Sequence, residues 1–188
     1  MKYIEQINHF IPEHEQDAND KRLILDYIKQ FPHNILLREN ELAHITSSGL
    51  IVNEQFDKVL MVHHNIYNTW AWTGGHADGD TDLLYVAVKE AKEETGVEEV
   101  RALSEDIISI DILPVLGHMK RGKYVSAHLH LNVSYLLLAD ESSTLTINEA
   151  ENSGVKWLEI DKLNQYSNEP YMVAVYEKII ERGRRLYR

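Results

Sequence analysis

The chain predicts a mixed β-sheet sandwiched between α-helices, an α/β (α+β) architecture, with a helical extension at its N-terminal end. Three observations predict it. β-rich runs lie on both sides of one central helix-forming stretch at residues 83–95. A second helical stretch, residues 171–187, closes the sequence, and residues 17–30 carry apolar positions at helical rather than alternating spacing. The expected organisation is a helical extension over residues 1–44, packed on a main domain over residues 45–188. With 188 residues, 44% hydrophobic and 26% charged, the chain has the balance of a globular protein with one full core.

Each element rests on a local signal. In residues 17–30, Leu23, Ile24, Tyr27 and Ile28 form an apolar stripe, Asp17 or Asn19 is placed to cap the start, and Pro32 follows the end. That stripe has to be covered, either by its own domain or by a second subunit of a homodimer. ITSSGLIVN (residues 45–53) and KVLMVHH (residues 58–64), separated by the polar EQFD, predict a β-hairpin. TWAWT is a third short strand running into Gly74 and Gly75, followed by a loop rich in Asp and Gly. The helix at residues 83–95 stops at Gly96, a residue suited to the left-handed conformation after a helix end. DIISIDILPV and YVSAHLHLNVSYLLLA are strands joined by a turn at KRGK, and VKWLEI is a further strand. In the closing helix Val173, Tyr176, Ile180 and Gly183 share one side.

Composition removes several classes of function. The net charge of −11 opposes binding to a long nucleic acid, whose affinity comes mainly from Lys and Arg replacing counterions on phosphates. It leaves room for a small phosphorylated ligand if a bound divalent cation supplies the local positive field. Without cysteine the chain has no disulfides, thiolate metal sites or cysteine nucleophile. No run approaches the ~20 apolar residues of a membrane span, and the N-terminal residues lack the apolar stretch of a signal peptide. The expectation is a cytoplasmic protein without a membrane partner.

The chemistry concentrates in GGHADGDTDLLYVAVKEAKEETGV, residues 74–97. On a helix, Glu90, Glu93 and Glu94 fall along one edge, beside an apolar stripe of Leu84, Ala87, Val88 and Ala91. Three carboxylates so close raise one another's pKa unless a positive group joins them, and a divalent cation is the simplest such group. Mg²⁺ takes oxygen ligands and keeps places for water and substrate phosphates. Gly74 and Gly75 form a turn whose backbone, free of side chains, allows close approach. The plainer reading is a solvated acidic helix surface with a Lys89–Glu93 ion pair worth a few tenths of a kcal/mol.

The segment resembles the Nudix box, G-x5-E-x7-R-E-U-x-E-E-x-G-U, where U is a bulky aliphatic residue. Gly75, Glu90, Glu93, Glu94, Gly96 and Val97 match at the family's spacing, and Ala91 stands at the first U. The preceding TWAWTGG resembles the family's W-x-x-P-G-G entry, with Trp70 matched and Thr73 in place of proline. Two positions depart. Thr81 stands where the family has its first glutamate, and Lys89 replaces the arginine, keeping charge but losing the planar fork. A one-residue shift of the loop would bring Asp80 into the missing glutamate's role; the alternative is that Asp80 caps the helix. The resemblance implies the Nudix fold over roughly residues 45–163 and hydrolysis of a phosphoanhydride bond, with Mg²⁺ or Mn²⁺, in a nucleoside diphosphate linked to another group. By position, Glu90 and Glu94 would be the principal metal ligands, Glu93 a ligand or supporting partner, and Gly75 a backbone contact.

The resemblance also directs attention to a carboxylate after the box, and NEAENSGVKW offers Glu149 and Glu151, of which Glu151 is closer to a strand and is the candidate base. His128 and His130 alternate along a strand and share a face; with His76 they are candidates for lining a substrate cleft, against plain packing or, less favoured, metal ligation. Lys120, Arg121 and Lys123 form the conspicuous basic cluster, either an exposed hairpin tip or a phosphate clamp through Arg121. Two other functions compete: a Nudix-fold nucleotide-binding module without turnover, suggested by Thr81 and Lys89, and an isopentenyl-diphosphate isomerase, whose family resemblance would call for a catalytic cysteine that this chain lacks.

Overall fold

The protein was analysed as a computed structural model that describes residues 2–120 and 122–187. Helices α1 (Lys2–His9) and α2 (Glu15–Gln30) precede strand β1 (Ala43–Val52), which turns back as β2 (Lys58–His64). The hairpin is the expected one, with Ile51 opposite Leu60 and Val52 opposite Val59. Asn53 builds its turn, its side-chain oxygen accepting from the N–H groups of Asp57 and Lys58 at 3.1 and 3.0 Å. After β3 (Thr69–Ala71) and β4 (Thr73–His76) comes α3 (Leu83–Thr95), the helix expected at those residues, followed by Gly96 at φ 74°. Strands β5 (Arg101–Ala102), β6 (Ser109–Val115), β7 (His118–Lys120), β8 (Lys123–Val125), β9 (His128–Leu138) and β10 (Asn152–Glu159) lead to α4 (Leu163–Tyr166) and α5 (Pro170–Tyr187).

Strand β1 organises the sheet. One edge runs parallel to β9, from Ala43 opposite Leu129 to Val52 opposite Leu138. The other edge is shared, with β4 pairing antiparallel at Thr46–Gly49 and β2 taking over at Ile51. Outward from these, β10 and β3 pair with β2, while β5 and β6 pair with β9. Alternation then sorts the side chains. Ile45, Ile51, Leu131, Val133 and Leu137 join the core with α1, α2 and α3 on one face, and Leu50, Val52, Leu136 and Leu138 join the core with α5 on the other.

Some elements differ from expectation, for reasons outside their own sequence. TWAWT is two strands rather than one. At Trp72 the backbone N–H turns to the Tyr176 hydroxyl of α5, at 3.4 Å, and the two rings meet edge-on at 5.3 Å. The run at residues 124–139 likewise breaks at Ser126 and Ala127 between β8 and β9. The KRGK turn joins β7 to β8, with Arg121 itself outside the described residues.

The stripe of α2 is covered within its own chain in large part: Ile24 and Ile28 are buried in the sheet's core, each contributing about 1.5–3 kcal/mol before entropy, and Tyr27 packs against it, while Leu23 stays 45% exposed. Helix α1, not anticipated from the sequence, adds Tyr3 and Ile7 to that core. The expected cap is also different. His14 occupies the N-cap position and Asp17 is buried, where it meets Arg182 at 2.6 Å and Lys178 at 2.8 Å; Lys178 also reaches Asp111 of β6 at 2.6 Å. Among the described residues, no helix is long and apolar enough to cross a membrane.

Candidate functional site

The site is built where β4 meets α3. Asp82 caps α3 by accepting from the Tyr85 N–H at 3.2 Å, and Gly96 ends it with its N–H on the Lys92 carbonyl. Between these caps the helix leans on β1 through Leu83, Ala87 and Ala91, which are fully buried. Glu90 and Glu94 therefore lie against the sheet rather than in water. The glycines of β4 make this contact possible. A Cβ on Gly75 would stand 2.5 Å from the Glu90 side-chain carboxyl carbon, and one on Gly74 would stand 2.4 Å from the Ser48 hydroxyl and 2.9 Å from the Ser47 carbonyl.

The third member comes from far along the chain. Glu151, exposed in the turn before β10, has a carboxylate oxygen within 4.8 Å of those of Glu90 and Glu94. Asn152 fixes that approach, its side-chain amide donating to the Glu94 carbonyl at 3.0 Å. The Glu151 carbonyl in turn accepts from the Asn65 N–H at 3.1 Å. Asn152 was not a candidate from sequence; its neighbour Glu151 was, and a buried amide next to a candidate acid is the signal that would have found it.

The electrostatics are those of crowded acids. Burial pushes the Glu94 carboxyl well above its ordinary range; Glu90 and Glu151 add repulsion, and the Gly74 N–H only partly offsets them. Its Oε2 is buried without a hydrogen-bond partner. Glu90 is also raised, first by burial, while the charge of Lys89 opposes the rise. Glu93 is not a member of the trio: it is about half exposed and lies 3.4 Å from Lys89, which also stands 3.5 Å from Glu90.

The loop between β4 and α3 is closed by its own acids. Asp80 accepts from the Asp82 N–H at 2.8 Å, a local turn bond ahead of the helix, and Asp82, not Asp80, is the helix cap. Asp80 is not a member of the carboxylate trio. Arg38 forks onto Asp78 at 2.7 and 2.5 Å. Those hydrogen bonds raise the Arg38 pKa, and Glu90 and Glu151 contribute further, so this cation feels the acidic trio. Arg38 sits in a segment read from sequence as extension, where nothing local marks it.

A NUDIX domain profile matches residues 43–182. The chain belongs to the Nudix family. Solved structures of similar fold include an Ap4A hydrolase of C. elegans in a binary complex, at 18% identity over 71% of this chain and 93% of that one, with a TM-score of 0.52. A NUDIX family hydrolase of Clostridium perfringens has 21% identity over 73% and 96%, with a TM-score of 0.53. The dihydroneopterin triphosphate pyrophosphohydrolase of E. coli has 14% identity over 73% and 94%, with a TM-score of 0.55. No curated relative matches the chain. In this Nudix protein, then, the trio of Glu90, Glu94 and Glu151 joins two box residues to one from the later loop.

The histidines form a group of their own. His76, His128 and His130 gather with His44, and this cluster is separate from the trio. Burial pushes His130 down to about 2, with His76, His44 and His128 adding to the shift. Burial also lowers His44. Arg121 lies outside the described residues, and Lys123 of the same basic tip is exposed.

Gly74 and Gly75, expected as a turn, are instead paired residues of strand β4, and their tight fit against Glu90 and β1 gives an expected result. Gly75→Ala should leave the fold intact, because the new methyl group meets the movable end of Glu90 rather than backbone. Displacing that carboxylate by about 1 Å should lower turnover by roughly 10²-fold. Steady-state rates beside an unchanged circular dichroism spectrum check this; normal turnover would show that the position of Glu90 is immaterial.

Proposed function

We propose that this Nudix protein is a divalent-metal-dependent pyrophosphohydrolase, cleaving a phosphoanhydride bond in a small nucleoside diphosphate linked to another group. The observation that carries the reading is the convergence of Glu90, Glu94 and Glu151 within 4.8 Å, beside the paired glycines of β4 and with Glu94 Oε2 buried and unpaired. Carboxylate oxygens suit Mg²⁺ or Mn²⁺, and an orphaned buried carboxylate oxygen is what such an ion would satisfy. The residues fit the ion. Bound there, it would neutralise phosphate charge and lower the pKa of the attacking water.

The chain's own groups divide the remaining work. Glu90 and Glu94 hold the ion, Glu90 braced by Lys89 and placed by Gly75, Glu94 braced by the Gly74 N–H. Glu93, paired with Lys89, supports from outside. Glu151 is the exposed member and so the one open to solvent, suited to orient a water and take its proton. Arg38 offers positive charge on the same side for a phosphate of the substrate.

The direct test is a set of nucleotide sugars, dinucleotides and nucleoside triphosphates assayed for phosphate release with Mg²⁺ or Mn²⁺ and again in excess chelator. Turnover should need the ion; full turnover in chelator overturns the reading, and tight binding without turnover of any compound favours a nucleotide-binding module. Glu151→Gln should lower turnover by roughly 10²- to 10⁴-fold with little change in substrate binding, the scale of lost general-base assistance. Near-normal turnover in that variant would return the base to the box helix.

A further inference from the structure

Four histidines from three strands form a group separate from the carboxylate trio. His44 opens β1 and pairs in register with His130 of β9; His128 lies two residues before His130; His76 ends β4 opposite Thr46, two residues on from His44. Alternation therefore points all four rings to one face of the sheet. One ring nitrogen from each lies within 4.8 Å of the others.

Their hydrogen bonds fix which nitrogens bear lone pairs. The Nδ1 of His44 is 2.9 Å from the Asn40 carbonyl, and the Nδ1 of His128 is 2.8 Å from the Ser126 carbonyl. A carbonyl only accepts, so in both rings Nδ1 carries the proton and Nε2 the lone pair. Both Nε2 atoms are therefore the ones able to ligate a metal. That of His44, a residue only 4% exposed, is buried with no hydrogen-bond partner. That of His128 lies 3.3 Å from Nε2 of His130. Packing alone explains the orphaned Nε2 of His44 poorly, since a buried lone pair without a donor costs free energy. A Nδ1–H held by a backbone carbonyl is, in contrast, the usual outer support of a metal-binding imidazole. The 3.3 Å separation also agrees with the edge of about 3.3–3.4 Å in a tetrahedron whose metal–nitrogen bonds are about 2.0–2.1 Å.

We propose that His44, His76, His128 and His130 hold one transition-metal ion of the Zn²⁺ type in a four-imidazole site distinct from the carboxylate trio. Imidazole favours Zn²⁺, Ni²⁺ or Cu²⁺, and carboxylate oxygen favours Mg²⁺ or Mn²⁺, so the two sites select different ions. A closed set of four ligands makes the site structural: it ties the ends of β1, β4 and β9 together one residue from Gly75. The inference does not depend on the hydrolytic reading.

Co²⁺ titrated into metal-stripped full-length protein tests it, because tetrahedral Co²⁺ absorbs intensely in the visible and an octahedral oxygen site does not. The expected result is an intense spectrum that saturates at one equivalent and is displaced by one equivalent of Zn²⁺. The half-buried His128 is the variant safest for folding: His128→Gln should weaken Zn²⁺ binding by more than about 100-fold, beyond the loss typical of an outer partner. Glu94→Gln should leave spectrum and affinity unchanged. The proposal is overturned by folded wild-type protein without the tetrahedral spectrum, by unchanged Zn²⁺ affinity in His128→Gln, or by a signal lost in Glu94→Gln.

Discussion

Glu94→Gln is expected to abolish metal-dependent hydrolysis while leaving the metal-free protein as stable as before or more so. Most active-site substitutions lower stability, but this one removes the most buried of three repelling carboxylates and keeps the shape of the side chain. The sign follows from proton binding. In the folded chain the pKa of Glu94 lies above its ordinary 4.5, so the native state holds this proton more tightly than the unfolded state does. The stabilisation from that proton is complete below pH 4.5 and is lost as pH rises towards the folded value. Glutamine, which does not titrate, avoids the loss. The melting temperature of the variant relative to wild type, both in chelator, should therefore rise as pH increases from about 4.5. Unfolding of the variant at neutral pH, or retained turnover, would give Glu94 a structural role.

The second large effect is expected in an ion-pair network outside the carboxylate trio. Asp17→Ala removes the fully buried carboxylate that Arg182 and Lys178 share, leaving Arg182, whose side chain is only 5% exposed, with the part-exposed Glu13, and Lys178 with Asp111. Breaking a buried ion pair from one side costs about 3–5 kcal/mol, a large part of a typical domain's stability. Burial resists ionisation of Asp17, but the hydrogen bonds of Lys178 and Arg182 prevail and hold its carboxyl below the ordinary 3.8. For a depressed carboxylate the stabilisation is present above that value and disappears as pH falls through the folded pKa. Urea midpoints should thus separate wild type from Asp17→Ala widely at neutral pH and less so in acid. Arg182→Met paired with Asp17→Leu should recover part of the loss, because removing both charges also removes the desolvation penalty. A midpoint unmoved in the single variant would mean that the network contributes nothing.

Legibility in the sequence tracked the range of the interactions. The bounds of α3 were readable because its signals are local, with Asp82 ahead of the helix and Gly96 behind it. The β1–β2 hairpin was readable for the same reason, two β-rich runs flanking a polar turn. The break at Trp72 was not, since its cause is Tyr176, more than a hundred positions away. Asp17 has the residue type and position of a cap, and only the arrival of α5 over β6 turns it inward. For the candidate site, the box supplied Glu90 and Glu94 by spacing, and the family resemblance pointed to Glu151. Glu93 shares that spacing, but helix rotation sets it beside Lys89 outside the trio. The shared face of His128 and His130 followed from alternation. His44 joins them only through the parallel pairing of β1 with β9, which leaves no trace in either strand alone.

The fork in the partners of β1 divides the carboxylate site into a rigid anvil and an adjustable jaw. Gly74 and Gly75 are laddered onto a strand enclosed on both edges, and Glu90 and Glu94 rest against them from a helix capped at both ends. Glu151 arrives instead from a surface turn whose attachments are the Asn65, Asn148 and Asn152 bonds. Changes of length or composition in that turn can alter what the jaw closes upon while the anvil keeps its geometry. Under the hydrolysis proposed above, the same scaffold would change its choice of leaving group without rebuilding the surface that meets the diphosphate.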